Sequence, residues 1–255
     1  MPVNRSLPPD GKEPLPVIEP PKIVLCIPGP WPDRADLLAR IVQDSGGYLF
    51  AGHVLMHMDS GQACELQYEP HDARMAAAFA AAGPHWRGSA DMARIGTHAS
   101  VVYLIGAGGS RVRAETMMRA AAALLDAGGL GVKVESSGVA HSPADWRQLC
   151  ADLALGSAHR AYVLNITGEQ VHSCGMHQFG MKDAIVAAQA ASDPVALLHT
   201  FTCYLFNEAP DVRAGHTFSV AADAPRYRIQ AEASSQFQPG DLFANPYGLW
   251  RLTPL

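Results

Sequence analysis

The sequence is poor in charge, and the charge it has is not basic. Only 17% of its 255 residues are charged, against roughly 25% in an average soluble domain. Lys and Arg together number 19 and Asp and Glu 24, which gives a formal charge of −5. A nucleic-acid-binding protein would need clustered basic residues, so this class is excluded. A largely disordered chain is excluded too, because 48% of the residues are hydrophobic.

Long hydrophobic runs are missing as well. The apolar stretch around residues 120–125 is far shorter than the ~20 residues that cross a bilayer, and no other stretch approaches that length, so we expect no membrane segment. Residues 1–21 contain seven prolines and none of the apolar sequence that a secretory signal needs. We expect them to form an extended, disordered tail.

Closely spaced cysteine pairs are scarce. An odd number of widely spaced cysteines, in a chain without a signal, predicts reduced thiols and a cytoplasmic protein. The five cysteines are Cys26, Cys64, Cys150, Cys174 and Cys203.

What the sequence does contain is a repeated order of short elements. Strand, helix, hairpin, helix and strand follow one another across residues 22–106, the order of a ferredoxin-like β-α-β-β-α-β unit. The same order is predicted again from residue 130. We therefore predict an α+β protein of two ferredoxin-like halves, residues 22–109 and 130–255, joined by a connecting helix within residues 110–129. Its sheets are expected to be antiparallel or mixed, with helices packed on one face.

Helix boundaries are marked by capping residues. Ser142, followed by proline, opens a helix predicted over residues 144–155. Two glycines end the connecting helix, which is predicted over residues 113–127. The apolar stripe of that helix is predicted to be core: Met117, Met118, Leu124 and Leu125.

Four segments carry a resemblance to a known family. They are IPGPW at residues 27–31, GLGVKVESSGVAHSPADW at 129–146, GMHQFGMKDAIV at 175–186 and ANPYGLWRL at 244–252. As a set they resemble the bacterial family called domain of unknown function 4261, and the likeness covers about residues 22–252. The resemblance implies a bacterial α+β protein with no established catalytic residues. The secretion-linked gene neighbourhoods of such domains further imply an immunity or adaptor role.

A group of cysteine and histidine residues raises the alternative of a zinc-stabilised domain. Cys174 and His177 form a Cys-x-x-His pair, and His199 and Cys203 lie four residues apart, on one face of a predicted helix. Together they would make a tetrahedral Cys₂His₂ set. Because His199 and Cys203 lie in the apolar segment LLHTFTCYLF, core packing is the preferred interpretation. We predict no metal and no cofactor.

An enzyme with a site between the two halves is the other alternative, with Glu135, His141 and His177 as its ionisable residues. No serine in this region lies in a Gly-x-Ser-x-Gly elbow. The glycine-rich segment at residues 106–110 lacks the third glycine of a dinucleotide-binding loop. We expect that segment to be a flexible connector.

The favoured interpretation is a non-catalytic protein that binds another protein. Catalytic motifs are missing, the balance of charge is acidic, and a ferredoxin-like scaffold has sheet edges available for pairing. Tryptophan is enriched at binding hot spots, so exposed copies would mark a partner surface. The sequence leaves the oligomeric state open. The candidate binding residues are Trp31, Glu135, His141, Trp146, His177 and Phe179.

Overall fold

Residues 20–233, 238, 241 and 243–255 are described by the computed structural model of the protein. They form an α+β fold with two sheets and seven α-helices, which confirms the predicted fold class. The tail predicted for residues 1–21 lies outside the described residues, except for Pro20 and Pro21. None of the helices in the described ranges is both long and apolar enough to cross a membrane.

The first sheet contains seven strands, each antiparallel to its neighbours. They are β1 (Lys22–Gly29), β2 (Tyr48–Ala51), β3 (Val54–His57), β4 (Ala63–Pro70), β5 (Ser100–Ala107), β6 (Val132–Val134) and β7 (Val139–His141). Their order across the sheet is β2-β3-β4-β5-β1-β6-β7. The two strands that are apolar on both faces, β1 and β5, lie in its interior.

The second sheet contains six strands, and one neighbouring pair is parallel. The strands are β8 (Leu164–Ile166), β9 (Gln170–Cys174), β10 (Asp183–Ala187), β11 (Thr217–Phe218), β12 (Tyr227–Glu232) and β13 (Leu249–Pro254). Their order is β11-β12-β13-β10-β9-β8, with β10 and β13 parallel and the other neighbours antiparallel. This sheet is therefore mixed.

The helices lie around and between the sheets. They are α1 (Arg34–Asp44), α2 (Met75–Ala82), α3 (Ala90–Ile95), α4 (Arg111–Asp126), α5 (Pro143–Ala151), α6 (Ala158–Tyr162) and α7 (Pro194–Glu208). The predicted cap of α5 is confirmed, because the Ser142 hydroxyl accepts a hydrogen bond from the Asp145 N–H (3.1 Å). α7 packs on β9 and β10 of the second sheet.

Helices cover both faces of the first sheet, rather than the one face that the sequence predicts. Leu25 and Ile27 of β1 face the main core with α1 and α4. Cys26 points to the opposite face, into a second cluster with Phe79 of α2 and Ile95 of α3. Since successive side chains of a strand alternate between faces, a strand as apolar as β1 needs cover on both sides.

The ferredoxin-like pairing is not confirmed. Such a unit places its first strand beside the inner strand of its hairpin, whereas β4 pairs with β5 and β1 lies on the far side of β5. The strand predicted to begin the second half is β6, and it pairs with β1 in the first sheet. The cause is the chain reversal after α4, where the Leu130 N–H donates to the Pro28 carbonyl (2.9 Å). The first sheet therefore continues past residue 129.

One side of α4 is buried and receives hydrogen bonds from the second half of the chain. Its apolar stripe is core, as predicted, and is at most 3% exposed: Met117, Met118, Leu124 and Leu125. The Trp146 Nε1–H donates to the Met118 carbonyl (3.1 Å), and the Tyr162 hydroxyl donates to the Ala114 carbonyl (2.9 Å). Both donors are fully buried, so each would be costly to leave unpaired.

Gly175 lies where the chain after β9 passes closest to the end of α6. Its φ is +124°, and a Cβ at this position would lie 2.1 Å from the Tyr162 carbonyl oxygen. A side chain here would need both a backbone conformation that L-residues avoid and a movement of α6. Gly61, in the turn before β4, has φ +67°, and a Cβ added there would have nothing within 4 Å. A side chain at Gly61 would therefore introduce backbone strain without steric overlap.

We expect Gly175→Ala to lower the free energy of unfolding by more than about 3 kcal/mol, because strain and steric overlap act together. Gly61→Ala should cost only about 1 kcal/mol, from backbone strain alone. Urea denaturation followed by circular dichroism measures both. Equal losses for the two variants would contradict the close approach of Gly175 to α6.

Candidate functional site

A column of aromatic and histidine rings runs through the core and includes several of the predicted site residues. Neighbouring ring centroids are between 4.7 and 6.3 Å apart, a spacing typical of packed aromatic pairs. In order, the rings are His141, Trp146, Tyr162, Phe179, Phe206, His159 and His199. Trp146 is fully buried and Phe179 is 5% exposed, so both are core residues.

Trp31 is also a core residue. Its Nε1–H donates to the Ala127 carbonyl (2.8 Å), and its own carbonyl accepts a hydrogen bond from the Ser100 hydroxyl (2.8 Å). Neither Trp31 nor Trp146 has exposed surface. The structure therefore places neither tryptophan where a partner would contact it in the folded protein.

Glu135, His141 and His177 do not share a site. Glu135 pairs with Lys133 on the face of the first sheet that α2 and α3 cover. His141 lies on the opposite face, where its Nε2 is 3.0 Å from the Ala161 carbonyl oxygen. His177 lies in the turn that precedes β10, in the second sheet. The three side chains thus have separate surroundings, and the arrangement does not support an enzyme that uses them together.

His177 lies beside a buried polar network centred on Asp183, the first residue of β10. The Asp183 carboxylate accepts hydrogen bonds from the Ser173 hydroxyl (3.0 Å) and the Asn245 amide (2.6 Å). The Met176 N–H also donates to it (3.2 Å), whereas His177 Nδ1 is 3.7 Å away, beyond hydrogen-bond distance. This network joins two of the segments that carry the family resemblance, and it fixes β10 beside β13.

The glycine-rich segment at residues 106–110 already uses backbone N–H groups within the protein. The Gly108 N–H donates to the Pro21 carbonyl (2.7 Å), and the Gly109 N–H donates to the Gln178 carbonyl (2.9 Å). A phosphate-binding loop needs such groups free to face its ligand. This supports the interpretation of the segment as a connector.

The predicted Cys₂His₂ set is divided in the structure. Cys174 Sγ lies 4.0 Å from the Ser136 carbonyl oxygen, and His177 lies beside the polar network described above. Neither joins His199 and Cys203, which lie on α7. The grouping was wrong because spacing along the chain does not reveal that Cys174 faces the Ser136 carbonyl and His177 faces Asp183, rather than His199 and Cys203.

His199 and Cys203 do come together, and His159 of α6 joins them. Cys203 Sγ is 3.6 Å from His199 Nε2 and 3.6 Å from His159 Nδ1, and the three atoms lie within 4.8 Å of one another. Asp193 caps α7 and Pro194 occupies its first turn. Residues 199 and 203 are four positions apart within this helix, so their side chains lie on the same face. We call these three residues the His–Cys cluster.

Thr202 sets the orientation of the His159 ring. The Thr202 hydroxyl donates to the Leu198 carbonyl one turn back (2.9 Å). Because the hydroxyl proton serves Leu198, we assign the Thr202 oxygen as the acceptor and the Nε2–H of His159, 3.0 Å away, as the donor. Nδ1 of His159 then carries the lone pair, and Nδ1 is the atom that faces Cys203.

Burial determines the charge states of His159 and Cys203. It lowers the pKa of His159 to about 4 and raises the pKa of the Cys203 thiol above its usual value. A cysteine nucleophile needs the reverse, a thiolate beside an imidazolium. Cys203 and His159 are therefore not an activated catalytic pair.

A groove of about 470 Å³ lies on the neighbouring side of α7, next to Thr200 and Tyr204. Residues 210–212 and 216–220, which include β11, form most of the rest of its lining. The Tyr204 ring is 5.8 Å from the Phe218 ring at an interplanar angle of 32°, and Tyr204 is 39% exposed. The groove combines exposed aromatic surface with the edge of the second sheet.

Neither His159 nor the groove was identified from the sequence. His159 lies in a helix of five residues without a side-chain cap, and β11 is two residues long. Elements this short leave no periodic pattern to detect. The one available signal was the i, i+4 pair His199 and Cys203, which marks two of the three residues in the cluster.

Comparisons with protein-family models, with curated proteins and with solved structures found no match to this chain. The resemblance to the domain of unknown function 4261 family stays a prediction. What the protein does must therefore be argued from its geometry.

His141 makes the folded protein sensitive to acid. Burial lowers its pKa to about 4, whereas histidine in an unfolded chain titrates near pH ~6.5. Between these values the unfolded state binds more protons than the folded state, so the free energy of unfolding falls as the pH falls. From neutral pH to pH 5 we expect His141 alone to reduce it by about 2 kcal/mol.

His141→Gln tests this, because glutamine keeps a donor for the Ala161 carbonyl but does not titrate. Urea denaturation at a series of pH values should show a shallower loss of stability for this variant between pH ~7 and ~5. His85→Gln is the control, since the His85 ring lies 6.2 Å from His141 and is half exposed. Parallel pH profiles for His141→Gln and the natural protein would contradict the assignment.

Proposed function

We propose that the protein is a non-catalytic binding protein that holds an extended segment of another protein in the groove beside α7. The observation that carries this proposal is the position of Tyr204 and Phe218 next to the sheet edge at β11. Exposed apolar side chains supply anchors for alternate residues of a bound segment, and an edge strand supplies backbone hydrogen bonds.

β11 is the outermost strand of the second sheet. On one side Thr217 pairs with Arg228 and Phe218 with Tyr227. On the other side no strand lies next to it within the described part of the chain. An edge of two residues is short enough to avoid self-association, and a bound segment would extend the sheet by one strand.

The composition of the groove fits a peptide better than a small polar substrate. Tyr204 and Val220 are 39% and 49% exposed, so the groove offers apolar surface in a folded protein. Phe218 packs edge-on against Phe201 of the core, with ring centroids 4.9 Å apart, which makes its position rigid. A preformed apolar wall lowers the entropic cost of binding. An immunity or adaptor role, which the family resemblance implies, is one form that such binding would take.

A random peptide library displayed on phage and selected against the full-length protein tests this proposal. We expect the selected peptides to contain alternating apolar residues and to bind Tyr204→Ala and Val220→Asp at least about 10-fold more weakly. Leu155→Asp is the matched control, because Leu155 is 82% exposed and lies outside the groove. The proposal fails if no peptide is selected, or if the peptides bind the two groove variants as tightly as the natural protein.

A further inference from the structure

The His–Cys cluster supports an inference that is independent of the groove. We propose that His159, His199 and Cys203 bind one Zn²⁺ ion, with a fourth coordination position open to solvent. Four observations support this proposal: the donor set, the distances between the donors, the orientation of the buried imidazole and the exposure of the site.

The two sulfur–nitrogen distances of the cluster are those of a tetrahedral zinc site. Zinc–sulfur bonds of ~2.3 Å and zinc–nitrogen bonds of ~2.0–2.1 Å place sulfur and nitrogen about 3.5 Å apart along a tetrahedral edge. Both sulfur–nitrogen distances in the cluster are 3.6 Å. The two nitrogens lie within 4.8 Å of each other, and rotation of the exposed His199 side chain would bring them to the ~3.3 Å of a tetrahedral edge. An ion would then fit between the three atoms without movement of either helix.

The donors have the chemistry that zinc requires. Each imidazole must offer a lone pair, and the hydrogen bond from His159 Nε2–H to Thr202 leaves the lone pair on Nδ1, toward Cys203. Ligating histidines typically hold their other ring nitrogen in a hydrogen bond of this kind. When the zinc–sulfur bond forms, the Cys203 thiol releases its proton to solvent.

One side of the site is closed and the other is open. His159 is 2% exposed and packs against Phe206, with ring centroids 5.9 Å apart. His199 is exposed and Cys203 is partly exposed, so an ion has a path of entry. Three protein ligands with an exchangeable fourth position are the arrangement of an open zinc site rather than of a closed structural one.

Titration of the full-length protein with Co²⁺ tests the proposal, after the protein has been reduced and treated with a chelator. We expect uptake of one equivalent, with a thiolate-to-cobalt charge-transfer band and the visible bands of tetrahedral cobalt, and displacement of both by Zn²⁺. Cys203→Ser should abolish the charge-transfer band. His199→Ala should weaken binding at least ~100-fold, and because His199 is exposed this variant keeps its fold.

Two further variants separate a metal ligand from a merely structural residue. Cys150→Ser is the matched control, because Cys150 is another partly buried cysteine, whose Sγ faces the Met118 carbonyl; it should leave the cobalt spectrum unchanged. Thr202→Val has nearly the same shape but no acceptor for His159, and should weaken cobalt binding ~10–100-fold. Absence of stoichiometric uptake, a charge-transfer band that survives Cys203→Ser, or one that is lost in Cys150→Ser would overturn the proposal. Peptide binding in the groove is measured in a separate experiment. A negative result for metal binding therefore does not contradict the proposed function, and a negative result for peptide binding does not contradict the metal site.

Discussion

The structure depends above all on the close packing of α4 against the elements around it. Alanines at positions 114, 120, 121 and 123 are buried, and their short side chains let the helix lie close to the first sheet on one side. On another side, two of its carbonyls accept hydrogen bonds from the buried side chains of Trp146 and Tyr162. Because these donors come from α5 and α6, the second half of the chain is held to the first through one helix.

The same core continues from α4 into the second sheet. Tyr162 also packs against Phe179, with ring centroids 5.7 Å apart, and Phe179 packs against Phe206 of α7 at 4.7 Å. The position of α7 is thus set by aromatic contacts that begin at α4. Since α7 carries both the groove and two residues of the His–Cys cluster, the candidate sites inherit their geometry from the core.

Local features of the fold could be predicted from the sequence, and pairing between distant segments could not. Ser142 and the apolar stripe of α4 act through neighbouring residues, and both were identified correctly. The partner of β4 could not be predicted, because β1 and β5 are both apolar on both faces and either is a suitable neighbour for the hairpin. His159 could not be predicted for a related reason: it contacts Cys203, which lies 44 residues further along the chain, and no local pattern encodes such a contact.

The two candidate sites lie side by side on the surface of α7. Thr200 and Tyr204 line the groove, and each directly follows a member of the His–Cys cluster along the helix. A residue advances ~100° around an α-helix, so the two pairs occupy neighbouring strips of its surface. A molecule seated in the groove would therefore lie close to the open side of the cluster.

The place of β6 and β7 in the first sheet has a consequence during synthesis. Domains generally fold from the N-terminus as the chain emerges, but β1 pairs with β6 across more than a hundred residues. Until that later segment has left the ribosome, β1 exposes an unpaired edge to the cell, in a strand that is apolar on both faces. Chaperones that shield such edges would then bind the nascent protein. The edge of β1 stays exposed until residues 132–141 have left the ribosome and β6 pairs with β1.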